Sequence, residues 1–115
     1  MPNPLIHARS SADRHGGVAS DYIAIHEKID STKACHSTVA HRSVFHSAFG
    51  ICLIEELFGR TLTNSDGSEV FVRDIAEQHV LEDLGFIPSL DEWLKHLDPT
   101  PWMAGHRAHK VHVVD

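Results

Sequence analysis

The stretch from Val44 to Phe58, VFHSAFGICLIEELF, constrains this chain more than any other. It is apolar over most of a helical circumference, and Gly59 follows it as a residue suited to a left-handed helix cap. Such a segment reads as a central buried helix that the rest of the chain must cover. Its start is expected at Ala34 or Ser37. On a wheel of about 100° per residue, Val44, Phe45, Ala48, Ile51 and Cys52 form the strongest face. His41 falls in the middle of that face, Glu55 lies at its edge, and His46 points toward the side shared by Leu53 and Leu57.

The flanking segments supply partners for this helix. Ser20 is a suitable N-cap for a first helix of about 12 residues. Within it Tyr22, Ile25, His26 and Ile29 recur at i, i+3, i+4 and i+7, which puts His26 on the inward stripe. After the central helix, Asn64-Ser65-Asp66-Gly67 separates two β-prone runs, so residues 61–72 are expected to form a hairpin. Asp74 and Glu77 resemble a capping box that opens a third helix, Ile75 to Leu84, closed by Gly85. Its inward arc, Ile75, Ala76, Val80 and Leu84, also contains His79 and Asp83. Ser89-Leu90-Asp91-Glu92 opens a fourth helix through Leu97 with Trp93 and Leu94 turned in, and Trp102 and Met103 are expected to fold back onto the body. The fold class is therefore mainly α: a compact bundle of about four helices with one β-hairpin between helices 2 and 3. Residues 20–103 form the domain, 1–19 an irregular arm anchored by Leu5-Ile6, and 104–115 a polar tail.

Composition narrows the function. The chain has 115 residues, a formal net charge of −6 and no Lys/Arg stripe, which argues against a nucleic-acid partner. No apolar run approaches the roughly 20 residues of a membrane span, and Met1 to Arg14 lacks the core of a secretion signal. A cytoplasmic protein with Cys35 and Cys52 reduced is the expectation, and Cys52 in its apolar stretch reads as inert. Cys35 beside His36 is the better candidate for a reactive thiol. Neither a nucleophile elbow nor a phosphate loop is present.

The anomaly is 11 histidines. His106, His109 and His112 fall near the end, and His7 and His15 lie in the polar N-terminal segment, where they read as exposed. Helix 3 carries the sharper signal. A carboxylate in a core costs several kcal/mol unless paired or bound to a cation, and an imidazole one turn away can reach the same point. His41, His79 and Asp83 are thus the candidate core ligands for Zn²⁺ or Fe²⁺, with His26 or His46 completing the shell. His41 and His46 present a difficulty. Five residues turn an ideal helix by about 500°, which leaves their rings about 140° apart, so the helix must be irregular there or one ring must lie outside the ligand shell.

From His41 to Met103 the chain resembles a family of small, His-rich, functionally uncharacterised bacterial and phage proteins. The likeness is carried by Thr63-Asn64-Ser65-Asp66-Gly67, Val72-Arg73-Asp74, Glu77-Gln78-His79-Val80, Glu82-Asp83-Leu84-Gly85 and Pro101-Trp102-Met103. His41-Arg42, His46 and Ser10-Ser11-Ala12 fit as well. The resemblance implies a bacterial or phage origin and a cytoplasmic setting, and it supplies no activity.

The leading expectation is a metal-dependent enzyme, hydrolase-like, in which Glu82 or Glu55 acts as general base on metal-bound water. Its substrate would be a small molecule. The alternative is a non-catalytic binding module of phage or mobile-element origin, with His26, His41, His79 and Asp83 as a buried polar network. A third reading is a pH-responsive element. A homodimer through helix 1 and the tryptophans is the expected assembly.

Overall fold

The computed structural model describes residues 3–34 and 38–106. Cys35, His36 and most of the C-terminal tail, with His109 and His112, lie outside the described residues. Six helices are seen among those described: α1 (Pro4–His15), α2 (Ile23–Ile29), α3 (Arg42–Phe45), α4 (Ala48–Phe58), α5 (Val72–Leu84) and α6 (Leu90–Leu94). One antiparallel hairpin, β1 (Thr61–Thr63) with β2 (Glu69–Phe71), joins α4 to α5 and pairs Leu62 with Val70. The mainly helical class and the place of the hairpin are as expected. No described helix is long and apolar enough to cross a membrane.

Three local features differ from expectation. Residues 4–15 are a helix rather than an irregular arm. Asn3 caps it by accepting the Ile6 N–H at 3.1 Å, and Pro4 occupies the first turn, where its missing N–H costs nothing. The buried side of α1 is His7, Ala8 and Ser11, so it docks through polar atoms.

The central helix is also broken. His46 (φ −88°, ψ 60°) and Ser47 (φ −154°, ψ 166°) interrupt it between α3 and α4. Ser47 recaps α4 by accepting the Gly50 N–H at 3.0 Å. Trp93 Nε1 donates to the freed His46 carbonyl at 2.8 Å, and Ala48 N–H donates to Pro88 O at 2.8 Å. The segment leading into α6 thus holds the break open. Gly50 makes it possible, because a Cβ there would sit 2.3 Å from the Phe45 carbonyl oxygen.

Burial around α4 is one-sided. Ile51 and Ile54 face the core, while Phe49, Cys52 and Leu57 are exposed. Cys52 therefore lies at the surface, with Arg73 Nη2 3.6 Å from its sulfur. Leu94, Trp102 and Met103 are exposed too, since α6 ends at Leu94 and the prolines beyond it carry the chain away.

The core is a layer of Tyr22, Ile25, Ile29, Ile51, Ile54, Val70, Val72, Ile75, Ala76 and Val80, with Ala8 from α1. Asn64 fastens the hairpin to it. Its amide donates to His15 O and Tyr22 Oη, and its carbonyl accepts the N–H groups of Asp66 and Ser68. Beside the apolar layer lies a second, polar one.

Candidate metal centre

That polar layer is assembled from four parts of the chain. Helix α5 presents His79 and Asp83 one turn apart on its buried side, as their spacing requires. Asp30, the residue that closes α2, turns its carboxylate inward. The break after α3 swings His46 toward both acids. Helix α1 covers the group with His7 and Ser11. His7, His26, His46 and His79 are all fully buried.

The distances define one centre. His46 Nε2 lies 2.8 Å from Asp83 Oδ2 and 3.6 Å from Asp30 Oδ1. His79 Nε2 lies 3.2 Å from Asp83 Oδ2 and 3.3 Å from Asp30 Oδ1. One donor atom from each of Asp30, His46, His79 and Asp83 lies within 4.8 Å of the others. Atoms bound at about 2.1 Å around one ion stand about 3.0 Å apart on an octahedral edge and about 3.4 Å on a tetrahedral one. The four nitrogen–oxygen separations, 2.8–3.6 Å, fall close to those edges, so the four residues could hold a metal ion.

His41 stands at the margin. Its Nδ1 is 2.7 Å from Thr38 O, which must receive an N–H, so a neutral ring keeps its lone pair on Nε2. That nitrogen is buried, makes no hydrogen bond among the described residues and lies 4.0 Å from Asp30 Oδ1. Asp30 Oδ2 and His46 Nδ1 are likewise without a hydrogen-bond partner there.

Of the other expected residues, His26 is placed behind the donors. Its Nδ1 meets His79 Nδ1 at 2.8 Å and its Nε2 meets Ser11 Oγ at 2.8 Å, so both ring nitrogens are already engaged. Glu82 contacts the outer side of the centre. It accepts from Ser10 Oγ, from His7 Nδ1 at 2.7 Å and from Gln78 Nε2 at 3.2 Å. A carboxylate so fully occupied is a poor general base. Glu55 is not brought to the centre at all: it pairs with Arg73 at 3.5 Å. Arg73 and Asp83 are about 15 Å apart along α5 at 1.5 Å per residue.

Asp30 and His7 are the members that sequence reasoning passed over. Asp30 follows the last apolar residue of α2 and carries no periodic signal. His7 lies on a helix whose buried face is polar. Its Nδ1 faces Glu82 and its Nε2 lies 3.1 Å from Asp83 Oδ1. The ring also stacks on His79 with centroids 3.8 Å apart.

The electrostatics follow from burial set against these partners. Burial would raise the Asp83 carboxyl, but hydrogen bonds from His46, His7 and His79 outweigh it and hold the group far below the usual range. Asp30 behaves alike, with His79 its main partner. Burial would lower His7, yet its bonds to Asp83 and Glu82 raise it. Burial would raise Glu82, and bonds from Ser10, His7 and Gln78 lower it. Burial pushes His46 down despite Asp83. His26 is pushed down to about 3 by burial and then by the charges of His79 and His7, so it is neutral at pH 7. The centre is a pair of carboxylates ringed by imidazoles, with the buried Arg42 guanidinium 3.9 Å from Asp83 Oδ1.

No curated protein and no solved structure matches the chain. A family model covering residues 2–103 does match, and the chain belongs to the family described as Domain of unknown function (DUF6915).

Proposed function

We propose that this protein binds one divalent transition-metal ion in its interior through Asp30, His46, His79 and Asp83, and that the bound ion activates water for hydrolysis. The observation that carries this reading is the convergence of two carboxylates and two imidazole Nε2 atoms at coordination-edge spacing. Two nitrogens and two oxygens with no thiolate suit Zn²⁺, Fe²⁺ or Mn²⁺. His41 Nε2, with its tautomer set by the Thr38 carbonyl, is the nearest additional donor. A bound ion lowers the pKa of its water toward neutrality, which makes hydrolysis of a small-molecule substrate the simplest chemistry for the site.

The rival reading is a buried polar network that fixes packing. The bonds linking Ser11, His26 and His79 favour it, because they need no metal. Against it stand His41 Nε2, His46 Nδ1 and Asp30 Oδ2, buried without hydrogen bonds among the described residues. A network kept only for packing is worth most when every member is satisfied.

Metal analysis of the untagged full chain separates the two, with His106, His109 and His112 changed to Ala to remove surface chelation. The metal reading expects one ion per chain, and loss of that ion in Asp30→Ala and in His46→Ala while each variant keeps its helical signal. A wild type that takes up no Zn²⁺, Fe²⁺ or Mn²⁺ after stripping and reloading would leave the network reading in place.

A further inference from the structure

We propose that Ser11 and His26 are positioning residues: they fix the tautomer of His79 so that its Nε2 lone pair, and not an N–H, faces the metal. The inference rests on the metal reading. Glu82 is a carboxylate and only accepts. The Gln78 amide nitrogen lies 3.2 Å from both Glu82 oxygens and 3.0 Å from the His7 carbonyl, so this end must be the NH₂. The Gln78 carbonyl then faces Ser11 Oγ at 2.9 Å and takes the hydroxyl proton. The other acceptor near that hydroxyl is the His7 carbonyl at 3.1 Å, so in either case the single proton points away from His26.

Ser11 Oγ must therefore accept from His26 Nε2 across 2.8 Å. A neutral His26 has no second proton, which leaves a lone pair on Nδ1. His79 Nδ1, at 2.8 Å, must donate to it. With its proton committed to Nδ1, a neutral His79 turns an Nε2 lone pair toward Asp30 and Asp83. A lone pair aimed at two carboxylate oxygens is repulsive unless a proton or a metal cation lies between them, and the bound ion takes the place a proton would hold without it. The direction of every bond is set from the acceptor-only Glu82, at the far end of this relay from the metal. Partners that orient a ligating imidazole in this way commonly govern affinity.

The test uses full-length protein and Zn²⁺. His26→Leu removes the acceptor for His79 Nδ1–H, whereas His26→Asn offers an amide oxygen close to where Nδ1 lies. Competition against a chromophoric chelator should show Zn²⁺ binding weakened about 10- to 100-fold in His26→Leu and within about threefold of wild type in His26→Asn. Equal binding by all three proteins, or a His26→Asn variant as impaired as His26→Leu, overturns the proposal. If His26→Leu does not fold, Ser11→Ala takes its place. It frees His26 to reverse, so a loss of at least about tenfold is expected and an unchanged affinity overturns the proposal. Long-range ¹H–¹⁵N spectra of metal-free wild type give an independent reading: the proton on Nε2 of His26 and on Nδ1 of His79. A His26 protonated on Nδ1 refutes the orientation even where zinc binds. Zinc failing to bind while the tautomers are as stated refutes the metal reading instead.

Discussion

Gly50→Ala sets two well-understood effects against each other, and the structure says which wins. Gly50 lies in the first turn of α4. On helix propensity alone, Ala there should stabilise by about 1 kcal/mol. Yet an added Cβ would lie 2.3 Å from Phe45 O and 2.5 Å from both Phe45 C and Cα. These are backbone atoms at the end of α3, so no rotamer change relieves them. The break at His46 and Ser47 would have to open by about an ångström, against the bonds from Trp93 and to Pro88. Overpacking of this kind costs about 1–3 kcal/mol, and more where the neighbour cannot yield. A net loss of about 2 kcal/mol is expected, equivalent to a fall in Tm of roughly 8 °C for a chain of 115 residues. Thermal unfolding followed by far-UV circular dichroism measures it. Gly67→Ala serves as the comparison, since Gly67 has φ +85° and nothing within 4 Å of the added Cβ. It should lose only about 1 kcal/mol from backbone strain. A Gly50→Ala protein as stable as wild type, or more so, would show that helix propensity dominates and that α3 does not press on α4.

Acid should weaken the metal-free protein before any carboxylate titrates. His26 falls from an ordinary 6.5 to about 3 on folding, so below pH 6.5 the unfolded chain binds a proton that the folded one refuses. Stability then drops by about 1.4 kcal/mol per pH unit, or about 2 kcal/mol by pH 5. His46, also lowered, adds to this loss, whereas His7, raised, contributes stability that disappears as pH climbs past 6.5. Urea unfolding at pH 7 and pH 5 should show a smaller pH effect in His26→Asn, and an identical slope would contradict the assignment. Glu55→Ala should leave metal uptake unchanged and alter stability by under about 0.5 kcal/mol, because it removes only a half-exposed pair with Arg73. Loss of the ion in that variant, read by metal analysis, would place Glu55 in the centre after all.

Helix α5 was legible because its apolar residues and caps follow the helical period, so His79 and Asp83 could be placed inward from spacing alone. Helix α1 was not. Periodicity finds helices whose buried side is apolar, and α1 buries His7 and Ser11. The signals that could have revealed it were the cap Asn3 and the following Pro4. The break at His46 shows in the sequence only as a difficulty, the mismatch of two rings on one ideal helix. Ser47, three residues before the glycine whose N–H it caps, was its local trace. Asp30 depends on where the chain turns after α2, which no short motif encodes. The misplacement of Glu55 has a different origin. Its place on the wheel follows from a face centred on Ile51 and Cys52, whereas α4 buries Ile51 and Ile54 and leaves Cys52 exposed.

The polar underside of α1 has a consequence for how the protein is put together. A helix seated by greasy side chains can slip or roll by a residue at modest cost, because one contact of that kind resembles the next. Here the seat is a set of directional bonds from His7 and Ser11 to groups 15 to 76 positions away in sequence. A roll of about 100°, one residue's worth, would forfeit them together. The amino-terminal helix therefore fits in a single setting, like a key whose cuts are proton donors and acceptors. Arriving misaligned, it would gain almost nothing.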